Sequence, residues 1–313
     1  MIKKYKYGHI TWTDLENPTA EEVETIAELH KLRHSVAREL MNPSNSSKAL
    51  SYNDYVYLIL QFPLRVKHAD HHAIVDHEID FVIGRDFIIT AHYKAIESLE
   101  HFAKAIETNS ILEKAVAGDR QEKIEDHTGH LFYYIIQRMY GHMQNDINAI
   151  NEELAAAEDS IFRGQEKEMV EVISNLSREL LDFRQTCRAH GETLESLNKI
   201  KGDFIDQTFN QYIADIKDCF VSVRDAVVNG HELAKELRET NDSLLNTKQN
   251  ETMKILTVVA FVTFPLSLFV ELFSMDTIYT PIVGQPNGFW IIIGIMVVMA
   301  LFMVWYFKKK KWL

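Results

Sequence analysis

The chain has 313 residues, of which 46% are apolar and 25% are charged, with 33 basic residues against 45 acidic ones. This composition excludes an intrinsically disordered chain and a membrane protein with many spans. Residues 253–313 carry five basic and two acidic side chains, so residues 1–252 hold a net charge of −15. An acidic body of this kind disfavours nucleic acid as a partner and favours cations.

The cysteines indicate the cellular compartment of the body, and the motifs limit the class of function. Cys187 and Cys219 match no metal-binding or redox spacing, and the N-terminal residues lack the apolar core of a signal peptide. We therefore expect a body in the reducing cytosol. The sequence contains no glycine-rich phosphate loop and no nucleophile with catalytic partners, so it gives no reason to expect an enzyme.

Residues 1–125 combine strand and helix signals and are predicted to form a mixed α/β module. Gly84-Arg85-Asp86 lies between two apolar runs and predicts a hairpin, and Pro18-Thr19 predicts the start of a helix over Ala20–Leu32. The predicted strands are Gly8–Trp12, Tyr55–Phe62, Ile79–Ile83 and Phe87–Ala91.

Two histidine groups offer an alternative metal hypothesis. His68, His71 and His72 lie between two predicted strands, and His127 and His130 lie three residues apart. Imidazole suits Zn²⁺, Co²⁺ and Ni²⁺, but an exposed loop and an ordinary helical pair explain the same residues.

Residues 126–252 are predicted to be helical throughout. Leu131–Leu197 should form two antiparallel helices with a turn near Phe162–Gln165, and a third helix of about 70 residues should run from about Asp203 into the membrane. Spacings of three and four predict a coiled-coil-like seam on that helix. Its predicted members are Phe209, Tyr212, Ile216, Cys219, Val223, Ala226, Gly230, Leu233, Leu237, Thr240 and Leu244.

Two apolar runs at the C-terminus, Ile255–Phe273 and Phe289–Phe307, each have 19 residues, enough to cross a ~30 Å hydrocarbon core. The predicted divisions are a first span at 253–273, a connector at 274–288, a second span at 289–307 and a basic tail at 308–313. The connector contains no Lys or Arg, whereas the tail begins with Lys308–Lys311. This asymmetry predicts both termini in the cytoplasm, although a buried hairpin of a soluble protein remains the alternative.

The first span carries one polar row. At ~100° per residue, the side chains of Asn250, Met253, Thr257, Ala260, Phe264, Ser267 and Glu271 share one face of the helix. An acidic side chain within a membrane is expected to face protein or water, unless Glu271 reaches the outer headgroups. Because two spans cannot enclose a water path, conduction along this row requires an oligomer around a shared axis.

Four segments together resemble the CorA family of divalent-cation transporters. They are ITWTDLENPTAEEVETIAEL at 10–29, KALSYNDYVYLIL at 48–60, HEIDFVIGRDFIITAH at 77–92, and NETMKILTVVAFVTFPLSLF at 250–269 before the terminal KKKKWL. The resemblance covers essentially the whole chain. It implies a funnel-shaped homopentamer with an αβα cytosolic domain, a long stalk helix that continues as the pore-lining span, and a peripheral second span.

The resemblance also implies roles for individual residues. Met253, Leu256 and Phe264 would form a hydrophobic constriction that closes by dewetting. Regulation in the family uses cations bound between neighbouring cytosolic subunits, and Asp215 is the best positional candidate. The residues implied to face the conduction path are Asn250, Met253, Leu256, Ala260, Phe264, Ser267 and Glu271.

The outer end departs from the family pattern. Members carry Gly-Met-Asn after the first span, and this chain has Ser274-Met275-Asp276, with Glu271 where a small residue is usual. Five copies of Asp276 and Glu271 would form two carboxylate rings that attract divalent cations and hold them more tightly than amide oxygens do.

We therefore expect a passive channel in the cell inner membrane that carries divalent cations into the cytosol. Mg²⁺ is the leading ion, with Co²⁺, Ni²⁺ and Zn²⁺ open, and the same cations are expected to regulate it. The expected partners are further copies of the chain and membrane lipids. Two alternatives remain, a transport-inactive cation sensor or scaffold anchored in the membrane, and a proton-coupled Zn²⁺ transporter in which Glu271 titrates.

Overall fold

The computed structural model describes residues 1–44, 46–67, 72–115, 127–200, 205–275, 282, 286–310 and 312. The chain divides into two compact units, a body at 1–238 and a C-terminal unit at 239–313, and each is considered by itself.

A six-stranded mixed sheet forms the centre of the body. Its strand order is β1-β2-β6-β5-β4-β3, with β2 and β6 parallel and the other neighbours antiparallel. The predicted hairpin at Gly84-Arg85-Asp86 is confirmed, because β5 and β6 pair on either side of it. The strands are β1 Ile2–Tyr7, β2 Ile10–Glu16, β3 Lys48–Ser51, β4 Tyr55–Lys67, β5 His72–Gly84 and β6 Phe87–His92.

Helices cover both faces of this sheet, which confirms the αβα arrangement. One face packs Tyr57 and Val82 against Ile26 of α1 and Val36 of α2. On the other face, Trp12 contacts Phe102 of α3 and Phe81 contacts Phe132 of α4, with ring centroids 5.7 and 5.3 Å apart. The helices are α1 Ala20–Leu29, α2 His34–Glu39, α3 Glu97–Ala115, α4 Thr128–Phe162, α5 Glu166–Lys199, α6 Gln207–Ser274 and α7 Gly288–Lys309.

Helix α1 begins at the predicted place and ends earlier than predicted. Thr19 and Glu22 form a capping box, since the Glu22 amide donates to Thr19 Oγ1 at 3.3 Å and the Thr19 amide donates to Glu22 Oε2 at 2.9 Å. The helix ends at Leu29 because Lys31 has a left-handed φ of 51°. The Leu32 amide then closes the turn on the Ala27 carbonyl at 2.8 Å.

The predicted break between two antiparallel helices is confirmed at the α4–α5 turn. Gly164 has a φ of 94°, a conformation that favours glycine, and the Gln165 amide donates to the Ser160 carbonyl at 3.1 Å. The chain therefore reverses within three residues, Arg163 to Gln165.

Helix α6 buries a different row from the predicted seam. Five of the eleven predicted members are buried, but Tyr212, Cys219, Ala226, Leu233 and Leu244 are only half-buried and Thr240 is exposed. The helix lies against two helices rather than one, because a Cβ on Gly230 would contact Asn151 of α4 and Leu180 of α5. The buried row of the body is Phe209, Ile213, Ile216, Phe220, Val223, Val227, Gly230, Ala234 and Leu237.

The C-terminal unit contains the end of α6 and all of α7. Both helices have apolar windows long enough to cross a membrane, with mean hydropathies of 2.2 and 2.5. Only 6% of each window is buried, so these apolar surfaces are not the interior of a soluble core.

Candidate functional site

The apolar part of α6 has one side that is less exposed than the others, and α7 contacts this helix where the Phe261 and Phe307 ring centroids lie 6.3 Å apart. On the less exposed side Val258 is 4% exposed, and Val262, Pro265, Phe269 and Phe273 follow it as half-buried residues. This row defines the side of α6 that packs within one chain.

The polar row from the sequence lies on roughly the opposite side of α6. Phe264 is 73% exposed and Met253 is 55% exposed, and Asn250, Ser267 and Glu271 are exposed as well. At ~100° per residue, the centres of the two rows lie about half a turn apart. Thr257 and Ala260 of this row are half-buried, and contacts within one chain leave its other five members open to water or to another copy.

Two threonine hydroxyl groups in the apolar part of α6 are satisfied within the helix. Thr257 Oγ1 donates to the Met253 carbonyl at 2.7 Å, and Thr263 Oγ1 donates to the Val259 carbonyl at 2.9 Å. Pro265 lies inside the helix and lacks the amide that would bond the Phe261 carbonyl, yet α6 continues to Ser274. The polar row thus stays on one continuous helix.

The C-terminal end of the row is only partly described. Ser274 is the last residue of α6 and Met275 follows it, 57% exposed. Asp276, the outermost predicted acid, lies outside the described residues.

The predicted regulatory acid, Asp215, is exposed on α6 within the body. Among the described ranges, no group of three or more His, Cys, Asp and Glu side chains is arranged to hold a metal ion.

The pair His127 and His130 has a structural role. His127 caps α4 by accepting the Gly129 amide at 3.0 Å, and its Nε2 lies 3.3 Å from Asp206. His130 Nδ1 lies 3.0 Å from the Tyr7 hydroxyl. Of the other group, His68 and His71 fall outside the described residues and His72 begins β5.

Sequence reasoning missed an ion-pair network around Arg65, which joins the sheet to both hairpin helices. The Arg65 guanidinium is 6% exposed and donates to both carboxylate oxygens of Glu153 on α4 at 2.7 and 2.9 Å, and to Glu179 on α5 at 2.7 Å. The hydrogen bonds from Arg65 lower the pKa of Glu153, whereas burial raises the pKa of Glu179. A charged residue inside the apolar run Leu64-Arg65-Val66 was the available signal.

A second missed feature is a buried carboxyl pair on β5. Asp80 is fully buried and accepts the Tyr57 hydroxyl at 3.0 Å, and burial raises its pKa well above the usual range. Glu78 accepts the Ser44 amide at 2.7 Å and the Gln61 side chain, and burial raises its pKa too. Alternation along β5 puts both acids on the face of Val82, which is a core face.

Known proteins are similar to this chain over nearly its whole length. The cobalt/magnesium transport protein CorA of Thermotoga maritima is 24% identical over 97% of this chain and 83% of its own length. The protein of the same name from Methanocaldococcus jannaschii is 21% identical over 97% of this chain and 92% of its own.

The fold matches a solved structure as well. The complete structure of the CorA magnesium transporter from Methanocaldococcus jannaschii aligns with a TM-score of 0.81 at 21% identity, covering 97% of this chain and 92% of that one. The family model described as CorA-like Mg²⁺ transporter protein matches residues 7–309. With its two apolar, exposed C-terminal helices, the chain is therefore a membrane protein that belongs to the CorA-like Mg²⁺ transporter family.

Proposed function

We propose that this chain forms a homopentameric channel through which divalent cations pass into the cytosol down their electrochemical gradient. The observation that carries the proposal is the polar row of α6, which lies roughly opposite the least exposed side of the same helix. Mg²⁺ is the first candidate ion and Co²⁺ the second, because the similar proteins are named for both. Ni²⁺ and Zn²⁺ are further candidates, because the tripeptide after the first span differs from the Gly-Met-Asn of the family.

The subunits would meet around an axis lined by α6. Two helices in one chain cannot surround water, whereas a ring of five places five polar rows around one path. The second helix, α7, would then lie on the lipid side of α6. A membrane potential favours entry by ~2.3 kcal/mol per charge per 100 mV, so inward movement needs no ATP.

Asp276 and Glu271 would attract the ion at the outer mouth. Their rings, together with Ser274 and Met275, would concentrate divalent ions and remove part of the hydration shell. Ser267, one turn further in, would offer hydroxyl oxygens to the ion as it leaves the rings.

The inner half of the path would be the gate. Phe264, Leu256 and Met253 are large apolar residues, and a ring of such side chains excludes water when the helices lie close together. Asn250 would mark the cytosolic end of the neck. Opening would require the five copies of α6 to move apart or rotate.

Asp215 would couple this gate to the cytosolic cation concentration. A cation held between Asp215 and acids of a neighbouring copy stabilises the arrangement in which it binds best, which we assign to the closed state. Loss of that ion would favour opening when the cytosol is depleted.

The proposed orientation places both termini in the cytoplasm and the channel in the cell inner membrane. Lys308 and Lys309 form the last turn of α7, and Lys309 Nζ lies 5.3 Å from the centre of the Trp305 ring. Tryptophan and lysine at a helix end suit the lipid interface of the cytoplasmic leaflet.

The test is uptake of Mg²⁺, Co²⁺, Ni²⁺ and Zn²⁺, each measured separately, into proteoliposomes of the purified chain. The double variant Asp276→Asn, Glu271→Gly serves as comparison, and we expect it to change the rate or the order of the ions. If an intact pentamer takes up none of these ions and flux appears only in the double variant, the chain is a cation sensor or scaffold. Zn²⁺ uptake that requires a pH gradient would instead establish the proton-coupled transporter.

A further inference from the structure

A groove of about 710 Å³ runs between α5 and α6 on the surface of the body. Its floor is apolar and includes Cys187, Leu194, Phe220 and Val227, all of which are buried. Next to the floor, three apolar side chains stay partly open, Leu181 at 41%, Val221 at 38% and Val228 at 38%. Apolar exposure concentrated along one groove indicates a contact surface.

The lining of the groove carries a net charge of +2 on a body that is strongly acidic, because four basic side chains outnumber Glu192 and Glu195 there. Arg184 and Arg188 line it from α5, and Lys217 and Arg224 line it from α6. Two of these cations have partners within the chain, Arg188 at 3.6 Å from Glu192 and Arg224 at 2.8 Å from Asp225, but both pairs are at least half-exposed. Exposed pairs of this kind contribute little and can exchange partners.

An acidic surface lies on the neighbouring side of the same helix. Asp218 and Asp225 are exposed on α6, seven residues apart and therefore on one face, here called the acidic flank. At ~100° per residue the acidic flank lies about a quarter turn from the groove positions of α6. Helix α6 thus contributes Lys217 and Arg224 to the groove on one side and carries the acidic flank on another side.

We propose that the groove between α5 and α6 receives the acidic flank of α6 from a neighbouring copy of this chain. Two different patches that fit each other produce a heterologous contact, which closes into a ring, whereas a two-fold dimer pairs a patch with itself. The inference rests on the proposed pentamer and names the surfaces by which its cytosolic bodies meet. The apolar floor and the partly exposed side chains beside it would provide the buried apolar area of the contact. The charged side chains would fix how the two copies align.

The proposed contact between the groove and the acidic flank should depend on ionic strength. The arginine and aspartate side chains that would meet are exposed in the single chain, so their attraction is screened over ~10 Å at 0.1 M salt. The contact between the cytosolic bodies should weaken as the ionic strength rises. The pentamer should nevertheless stay assembled through its apolar membrane spans.

The test is cross-linking of the full chain in nanodiscs. In a background of Cys187→Ser and Cys219→Ser, the pair Arg188→Cys and Asp218→Cys puts one thiol at the groove and one on the acidic flank of every copy. A short bismaleimide should give a ladder that reaches the pentamer on a denaturing gel. The matched control, Lys167→Cys with Asp218→Cys, keeps one exposed position of α5 outside the groove and should give no ladder.

Charge reversal tests the pairing itself. In the cross-linking background, Arg184→Glu should slow the ladder about threefold, and adding Asp225→Arg should restore the rate. Lys199→Glu makes the same charge change at an exposed position of α5 away from the groove and should leave the rate unchanged.

Failure of this proposal is distinct from failure of the proposed function. Native mass spectrometry that shows a pentamer without a ladder overturns the groove contact alone, and so does a ladder that stops at dimers. A chain that is not pentameric overturns the proposed assembly as well. Cation uptake, measured on the same nanodisc-purified protein after transfer to liposomes, reports on the channel independently of the cross-link.

Discussion

At the scale of single residues, we expect Asp80 to make the stability of the body depend on pH. Because burial raises its pKa in the folded chain, folding favours the protonated carboxyl, and stability falls as pH rises from the unfolded value of ~3.9 towards the folded one. Asp80→Asn removes this dependence while an amide oxygen still accepts the Tyr57 hydroxyl. We expect the thermal midpoint of the variant, relative to the natural chain, to rise between about pH 4 and pH 7.

The control for Asp80 is an acid that lies on the surface. Asp54 is exposed just before β4, so Asp54→Asn should change the midpoint little, as surface substitutions usually do. Circular dichroism of the full chain in detergent measures both variants. A constant offset for Asp80→Asn would show that its carboxyl is already ionised in the folded chain.

Arg65 is the second residue whose removal should have a large effect. Arg65→Ala leaves Glu179, whose side chain is 9% exposed, as a buried acid without its cation, and should destabilise the body by about 3–5 kcal/mol. Glu179→Gln in the same chain should recover part of this loss, since it removes the uncompensated charge. Urea unfolding followed by tryptophan fluorescence gives the free energies.

A half-exposed ion pair provides the comparison for Arg65. Lys3 and Glu16 lie 3.5 Å apart with side chains 31% and 28% exposed, so Lys3→Ala should cost no more than about 1 kcal/mol. Equal losses for Lys3→Ala and Arg65→Ala would mean that the Arg65 network stabilises no more than a surface pair does.

At the scale of elements, two glycines of α4 should respond to the same substitution with opposite signs. A Cβ on Gly129 would lie 2.9 Å from the Tyr212 ring and 3.0 Å from the Phe209 ring, whereas a Cβ on Gly141 meets no atom within 4 Å. Gly141→Ala should therefore stabilise the body by about 0.5–1 kcal/mol through helix propensity. Gly129→Ala should destabilise it, because α4 and α6 must separate there.

Urea unfolding measures both glycine variants. A shift in the midpoint urea concentration, with an unchanged dependence of the unfolding free energy on urea, reports the change in stability. A stabilising Gly129→Ala would contradict the close approach of α4 and α6 at Tyr212 and Phe209.

Local signals decided which elements the sequence could predict. The Gly84-Arg85-Asp86 turn, the Thr19 cap and the break at Gly164 are each set by residues within a few positions, and all three are present. The row of α6 was half wrong because packing against two helices, rather than one, decides which side chains point inward. Arg65 and its partners lie 88 and 114 residues apart, so no local pattern could reveal them.

At the scale of the whole molecule, the sequence predicted which residues form the polar row of α6, but it did not predict which side of the helix is covered by the rest of the chain. Periodicity alone identified the polar row, since a membrane helix keeps its polar atoms on the side away from lipid. The less exposed side needed the structure, because nothing in the sequence says which face of α6 holds Val258 and Phe269. The role proposed for Asp215 involves a second copy, so neither the sequence nor a single chain can reveal it.

The proposed gate gives a prediction for the assembled channel. Met253 and Ile255 are both 55% exposed in the single chain, but Met253 lies in the polar row and Ile255 lies outside it. If α6 lines the axis, Met253→Ser wets the neck and should raise Mg²⁺ uptake into liposomes preloaded with Mg²⁺, the condition that favours the closed channel. Ile255→Ser puts the same hydroxyl on a side of α6 away from the polar row, where the helix can satisfy it by bonding its own backbone, and should leave uptake unchanged. Equal effects of the two substitutions would show that the polar row does not face the ion, and the axis would then have to be sought on another side of α6.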